Sequence, residues 1–448
     1  MPTAEPAALP SASAGRQILE SVLPRKRHGA FGEGPTEKDW ATSTSPAAYS
    51  TFLGHDRVLC ACLMAWGTNT GLGRMAEISD ISYHDLQEAS DDFMRLETLG
   101  SANDLVVDGT AALPSTQHYN LGGVVHSSSD GQKFETRRPT FNARHGPKYF
   151  GLKKGIVADT LVINHIPVSA RIIGANEHES HYVFDLLFNN TTSLRPDVHS
   201  TDTHGANEVN FALLHAFKYQ FAPRYADISE KVRTSLFGFQ HPRQYAGLTL
   251  RPMHKANTAL IIEDWDNVLR IFVSLARKTT SQSIIVSKLS SYARRNRTRR
   301  ALWEFDGIIR SIHLLTYVDS PPMRKNVQHA LNRGENYHQL RRAVSYANFG
   351  KLRFKSEEEQ QIWSECSRLI TNCILYFNAT ILSELLAEKV ASGDIATVEA
   401  LKGIALSAWG HANLHGRYAF TTPTTPIDIA AIVQLLAQQP IAPDDAEP

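Results

Sequence analysis

Three acidic residues are of the type that metal-dependent phosphoryl chemistry uses: Asp130 in SSSDG, Asp202 in STDTHG and Glu335 in LNRGEN. Both aspartates fall where a predicted strand begins, bends or ends, and strand-end carboxylates can converge across a sheet. Glu335 falls within a helical pattern. Two strand carboxylates with one from a facing helix give hard, anionic oxygen ligands, which suit Mg²⁺ or Mn²⁺ far better than zinc. Two such ions ~3.5–4 Å apart activate an attacking oxygen and stabilise the leaving oxygen in an in-line displacement at phosphorus. Spacing alone leaves other uses open, because 45 acidic residues offer many such triplets. Asp130 before Gly131 is also a turn dipeptide, Asp202 between threonines also an Asx-turn or cap, and Glu335 among arginines also a surface ion pair.

The charge balance, 46 Lys plus Arg against 45 Asp plus Glu, argues against a globally basic nucleic-acid binder, yet the charge is unevenly laid out. Residues 131–154 carry seven basic residues, Lys133, Arg137, Arg138, Arg144, Lys148, Lys153 and Lys154, against the acid Glu135. Five of the seven residues from Arg294 to Arg300 are arginine. Residues 334–355 carry five basic residues against Glu335. One such run is commonly a solvated face; three around acidic candidates point to a phosphate-rich ligand.

The elements that must position these residues follow from pattern. Residues 1–45, rich in Ala, Pro, Ser and Gly, sustain no period and are expected to form a disordered arm. Residues 46–118 are expected to form a helical lead-in module, with GTNTGLG as a tight turn and Asp80 or Ser82 capping the next helix. Residues 119–206 change texture: HSSSDGQKF and KKGIVADTLVINHIPVSARIIG read as adjacent strands, Tyr182 to Phe188 as a helix, and VHSTDTHG as a short strand. That order predicts a mixed α/β sheet. Residues 207–326 return to helical spacing and are expected to be an insertion within one domain. Residues 327–420 complete the core, with a helix starting near Val327 that carries Glu335, then packed helices; 421–448 is a tail. Cys366 and Cys373 are expected on one buried helix face, and all four cysteines as buried thiols.

The longest strongly apolar run, Val58 to Trp66, has nine residues against the ~20 of a membrane span, so no membrane partner is expected. The N-terminal segment has no basic stretch followed by an apolar one, and a cytoplasmic location is expected. HESH, with His178 and His181, lacks a third imidazole at a known metal spacing and reads as a polar turn. GTNTGLG is not followed by GK[ST], so a nucleotide-binding P-loop is unsupported. His204 and His338 can shuttle protons near the carboxylates or be satisfied polar histidines. Trp409, His411 and Arg417 of WGHANLHGRY can contact DNA or complete the site, with core packing the plainer reading.

Several long segments, in order, resemble the C-terminal catalytic half of the Tn-three family of cointegrate-forming DDE transposases. They are GTNTGLGRMAEISDISYHDL, SSSDGQKF, STDTHGANEVNFALLHAFKYQFAPRYADI, ALNRGENYHQLRRAVSYANFGKLR and LSAWGHANLHGRYAF. The likeness runs from about Tyr49 to Phe420. Where many relatives have a WGDGTTSSSDGQ-like run, this chain reads YNLGGVVHSSSDGQ. Full-length members carry a large N-terminal region that recognises the transposon's inverted repeats; a Pro/Ala arm is expected in its place here.

The resemblance implies an RNase H-like catalytic core with a large helical insertion and flanking helices. It implies that Asp130, Asp202 and Glu335 are the catalytic triad and hold two Mg²⁺ ions, with Mn²⁺ as substitute. In that family an activated water nicks each transposon end, and the freed 3′-OH attacks target DNA. The partners implied are DNA ends, target DNA and a second copy of the chain assembled on them. Lys133, Arg333, Arg341 and Arg342 flank the carboxylates in the sequence and are expected to position the DNA backbone. Two other outcomes stay open: a non-catalytic DNA-binding remnant or regulator, and an RNase H-like nuclease without strand transfer.

Overall fold

A computed structural model describes residues 46–291, 296–421 and 426–438. The arm expected over 1–45 lies outside the described residues, as do Arg294 and Arg295. Four helices lead in: α1 (Pro46–Gly67), α2 (Leu72–Ile78), α3 (Tyr83–Phe93) and α4 (Leu96–Ala111). Of the two cap candidates, Ser82 caps α3 by accepting the Asp85 amide, whereas the Asp80 carboxylate accepts the amides of Phe420 and Thr421. Leu59, Met75, Leu86 and Leu99 of this module are buried with Cys366 and Leu369.

The sheet follows, built from β1 (His126–Glu135), β2 (Arg144–His145), β3 (Lys154–Ile163) and β4 (Ile166–Gly174). After the short helix α5 (Val183–Phe188) come β5 (Val198–Ser200), α6 (Asn210–Ala216) and β6 (Gln220–Phe221). The order is β2-β3-β1-β5-β6, with β4 also paired to β3. β1 is central: it runs antiparallel to β3, with Asp130 opposite Thr160, and parallel to β5, with Ser128 opposite Ser200. The mixed α/β expectation is met. β3 is almost wholly buried, as its run of Val, Ile, Ala and Leu requires of a strand covered on both faces.

The span 207–326 is mostly helical, yet its first residues complete the sheet, since β6 pairs with β5. It continues through α7 (Ile228–Ser235), α8 (Thr258–Glu263), α9 (Trp265–Ala276), α10 (Gln282–Ser291) and α11 (Arg297–Asp319). Phe272, Leu275, Ala301 and Leu302 from these helices share a core with Leu161 and Ile163 of β3.

The glutamate helix, α12 (Pro321–Val344), starts earlier than the spacing suggests. Ser320 caps it, and two prolines occupy the first turn, where a missing N–H costs nothing. α13 (Glu357–Ser392) opens with a capping box between Ser356 and Glu359 and closes on Gly393 at φ 74°. By length and composition α13 is apolar enough to cross a membrane, but it packs among the lead-in helices, β4 and the C-terminal helices α14 (Ile395–Leu401) and α15 (Ile429–Ala437). Of the four cysteines, Cys62 and Cys366 are buried, Cys60 is half-buried and Cys373 is exposed, so Cys366 and Cys373 do not share one buried face.

Candidate active site

Successive side chains of a strand point to opposite faces, and the serines before Asp130 use both. Ser127 and Ser129 meet the two ring nitrogens of His199 on β5, at 2.9 and 3.1 Å. Ser128 points the other way and donates to the Ala330 carbonyl of α12 at 2.7 Å. His126 meets Ser200 at 2.8 Å. Burial, with His126 adding, holds the His199 imidazole down to about 3; burial, with Arg333 adding, holds His126 down to about 4. Both rings are therefore neutral near pH 7, which lets one nitrogen of each accept a hydrogen bond from a serine hydroxyl.

Asp130 is the first residue of this run to reach solvent, its side chain 41% exposed. It lies inside the strand rather than at a turn, and its Oδ1 accepts the Gly131 amide at 2.8 Å. α12 lies across β1 closely because Gly334 carries no side chain; a Cβ there would stand 3.1 Å from Ser128 Oγ. The glycine that weakens the helix in isolation thus seats it on the strand. Glu335, the next residue, is exposed, and buried His338 sits one turn on.

His338 Nδ1 is 3.8 Å from Asp130 Oδ2 and 3.7 Å from Glu335 Oε2. Ligand atoms of these three residues all lie within 4.8 Å of one another. The His338 imidazole, with Arg342 adding, holds the Glu335 carboxyl below its ordinary value. Two open carboxylates over one buried nitrogen form a donor set that fits a divalent cation.

Asp202 follows β5. Carried two residues beyond Ser128 and Ser200, the parallel register puts it level with Asp130. Its carboxylate caps a short turn: Oδ1 accepts the His204 and Gly205 amides at 2.8 and 3.2 Å, and Oδ2 meets His204 Nδ1 at 3.0 Å. Asp202 is not part of the Asp130, Glu335 and His338 group.

Two further acids adjoin the site. Glu179, the glutamate of HESH, is half-buried against Gly131, whose missing Cβ leaves room for the carboxylate. Lys133 Nζ bridges Glu179 Oε1 at 3.0 Å and the Gly131 carbonyl at 3.1 Å. Burial raises the Glu179 carboxyl, Lys133 opposes this, and Asp130 and Asp202 raise it further, so Glu179 senses both aspartates. Asp159, opposite Gly131 on β3, is raised well above its ordinary value by burial and then by Glu179 and Asp130. HESH carried a signal, but in its glutamate rather than in its two imidazoles.

The expectation for the flanking basic residues needs correction. Arg341 is fully buried, donates to Thr160 Oγ1 at 2.8 Å, and lies over the rings of Phe134, Tyr337 and Trp363. Arg333 is 5% exposed and donates to the Tyr119 carbonyl at 2.7 Å and to Asn164 Oδ1 at 3.3 Å. Both guanidinium groups face inward and cannot meet a DNA backbone. Of the four, Arg342 is exposed, and Lys133 is half-buried in its pair with Glu179.

A central strand bearing Asp130 and a helix packed across it bearing Glu335, with Asp202 just past the end of the parallel neighbour, define an α/β domain with an acidic centre. The chain belongs to the family described as Tn3 transposase DDE domain, which matches residues 47–418. It is similar to the transposase for transposon gamma-delta of Escherichia coli (strain K12), 29% identical over 368 residues, 82% of this chain and 36% of that protein. It is also similar to the transposase for transposon Tn501 of Pseudomonas aeruginosa, 31% identical over 368 residues, 81% of this chain and 36% of that one. A third relative is the transposase for transposon Tn1546 of Enterococcus faecium, 29% identical over 367 residues, 82% of this chain and 36% of the relative. The chain thus spans about a third of the length of these relatives.

Proposed function

We propose that the chain is the catalytic part of a DNA transposase that nicks transposon ends and joins the freed 3′-OH to target DNA, in replicative transposition. The observation that supports this most is the meeting of Asp130 and Glu335 at one open point of the sheet, with Asp202 two residues past the end of the next strand. The fold is taken as RNase H-like, and Asp130, Asp202 and Glu335 as holding two Mg²⁺ ions, or Mn²⁺ in their place. When bound, such ions polarise the phosphate and lower the pKa of an attacking oxygen.

The chain's own residues supply the rest. His338 sits beneath Asp130 and Glu335 and steadies two like charges at one point. Asp202 enters from its cap, where among the described residues its Oδ2 meets only His204, itself 73% exposed. Lys133 holds Glu179 beside the aspartates and moderates the local negative charge. Exposed Arg342, seven residues and two helical turns from Glu335, supplies a positive charge for a phosphodiester on the same face of α12. Phosphoryl transfer needs such alignment and charge stabilisation more than a protein nucleophile. We place the reaction on DNA in the cytoplasm, with two copies of the chain assembled on the paired ends.

The test offers the purified chain a pre-nicked transposon-end duplex with a free 3′-OH, a target plasmid and Mg²⁺ or Mn²⁺. Joined products from the wild type and none from Asp130→Asn are expected. DNA bound equally by both proteins, with neither joining nor nicking, would overturn the reading.

A further inference from the structure

The two elements that carry Asp130 and Glu335 run side by side in the same direction: Ser128 meets Ala330, Gln132 meets His338, and Phe134 meets Arg341. Followed past their ends, both lead to one cleft of about 790 Å³, which β1 enters through Arg137 and α12 through Ala347 and Asn348. Four arginines line it, Arg74, Arg137, Arg353 and Arg417. Glu77 also lines the cleft but is paired with Arg74 at 2.6 Å. The side chains of Arg137 and Arg417 are exposed and form no ion pair among the described residues. Burial and the adjacent Arg137 both work against the charge on Arg353, while Glu359 favours it. Positive charge crowded into a concavity in this way is a site for an anion.

The cleft is braced by the turn GTNTGLG. Asn69, at φ 65°, donates to the carbonyls of Ala347 and Lys351 and accepts the Arg353 amide, while Asn348 donates back to the Asn69 carbonyl. Gly71, at φ 78°, leaves the space that the Arg353 guanidinium fills, and that guanidinium donates to the Thr70 carbonyl. The opposite wall comes from the C-terminal motif, where His415 meets the Ala343 carbonyl at 2.9 Å and so sets Arg417 over the cleft. Three segments far apart in the chain are thus tied together to hold arginines at one place.

We propose that this cleft binds the phosphodiester backbone of a DNA strand some distance from the point of reaction. The inference rests on the transposase reading and adds a second contact zone to it. At ~3.3 Å per residue along the strand, Arg137 lies roughly 23 Å from Asp130, or about seven nucleotides at ~3.4 Å each. DNA that reaches the carboxylates and runs along β1 and α12 meets the cleft over that length.

The test measures binding of a fluorescein-labelled end duplex by anisotropy in EDTA over a series of salt concentrations. Wild type is compared with Arg137→Gln/Arg417→Gln and with Arg137→Lys/Arg417→Lys. Each phosphate contact contributes about 0.9 to the slope of log K against log salt, so the Gln pair should lower the slope by about 1.8. The Lys pair should keep the wild-type slope. A Gln pair that melts like wild type and keeps its slope would overturn the cleft while leaving the transposase reading in place. Wild type that binds no DNA at any salt concentration would overturn both.

Discussion

Gln132 on the central strand donates its side-chain amide to the backbone carbonyl of His338 on α12, at 2.8 Å, with both residues buried. This bond fixes the strand that holds Asp130 against the helix that holds Glu335. Gln132→Ala removes it and opens a polar gap in the seam, at a cost of about 1–3 kcal/mol in stability. Urea unfolding measures that cost. A Gln132→Ala protein as stable as wild type would show that the seam is held elsewhere.

His338 is the neighbour that holds the Glu335 carboxyl below its ordinary value. His338→Ala removes that influence, so Glu335 should take up its proton at a higher pH. Carbon NMR titration of the glutamate carboxyls, with Glu335→Gln to assign the resonance, reads the shift directly. An unmoved titration in His338→Ala would contradict this electrostatic role.

Arg341 and Arg342 are neighbours in the sequence with different duties. Arg342→Gln should lower the salt slope of DNA binding by about 0.9 and leave stability alone. Arg341→Gln should leave the slope unchanged and destabilise the fold by on the order of 2–3 kcal/mol, since it empties a site among Phe134, Tyr337 and Trp363. The reverse pattern in paired binding and melting experiments would contradict the burial of Arg341.

Asp306 on α11 is fully buried, and burial pushes its carboxyl up to about 7 against the opposing Arg310. Between the ordinary carboxylate range and about 7, the folded chain keeps a proton that the unfolded chain has released. The stabilising contribution is therefore complete at low pH and is lost as pH rises through about 7. Buried His199, held down to about 3, acts with the opposite sign below its unfolded value. Asp306→Asn removes the first slope alone. From about pH 5.5 to about 7.5, wild type should lose ~2 kcal/mol relative to the variant in denaturant unfolding. Parallel pH profiles would contradict a raised Asp306.

Much of this was legible from residues near one another in the chain. The strand at SSSDG, the hairpin after it, the short strand before Asp202 and the helix under Glu335 all follow from local period and turn chemistry. The functions of Arg333 and Arg341 were not, because flanking in sequence is not flanking in space. At ~100° per residue, position 342 returns to the face of 335 while 333 and 341 turn toward the sheet, so helical period separates them. Glu179 was illegible for another reason. Its place beside Gly131 depends on how the loop after β4 folds back over β1, a contact between segments that share no local pattern. The bracing of GTNTGLG by the segment 347–353 is likewise a long-range fact.

The central claim is that Asp130, Asp202 and Glu335 together hold the metal, although Asp202 here caps a turn and stands outside the group that Asp130, Glu335 and His338 form. Counting Mn²⁺ bound to the DNA-loaded chain by electron paramagnetic resonance tests it most directly, with Asp130→Asn, Asp202→Asn, Glu335→Gln and His338→Ala in parallel. Two ions on wild type, with loss of at least one in each of the three carboxylate variants, is the predicted result. Full occupancy in Asp202→Asn together with loss in His338→Ala would contradict it and make the metal centre Asp130, Glu335 and His338 instead.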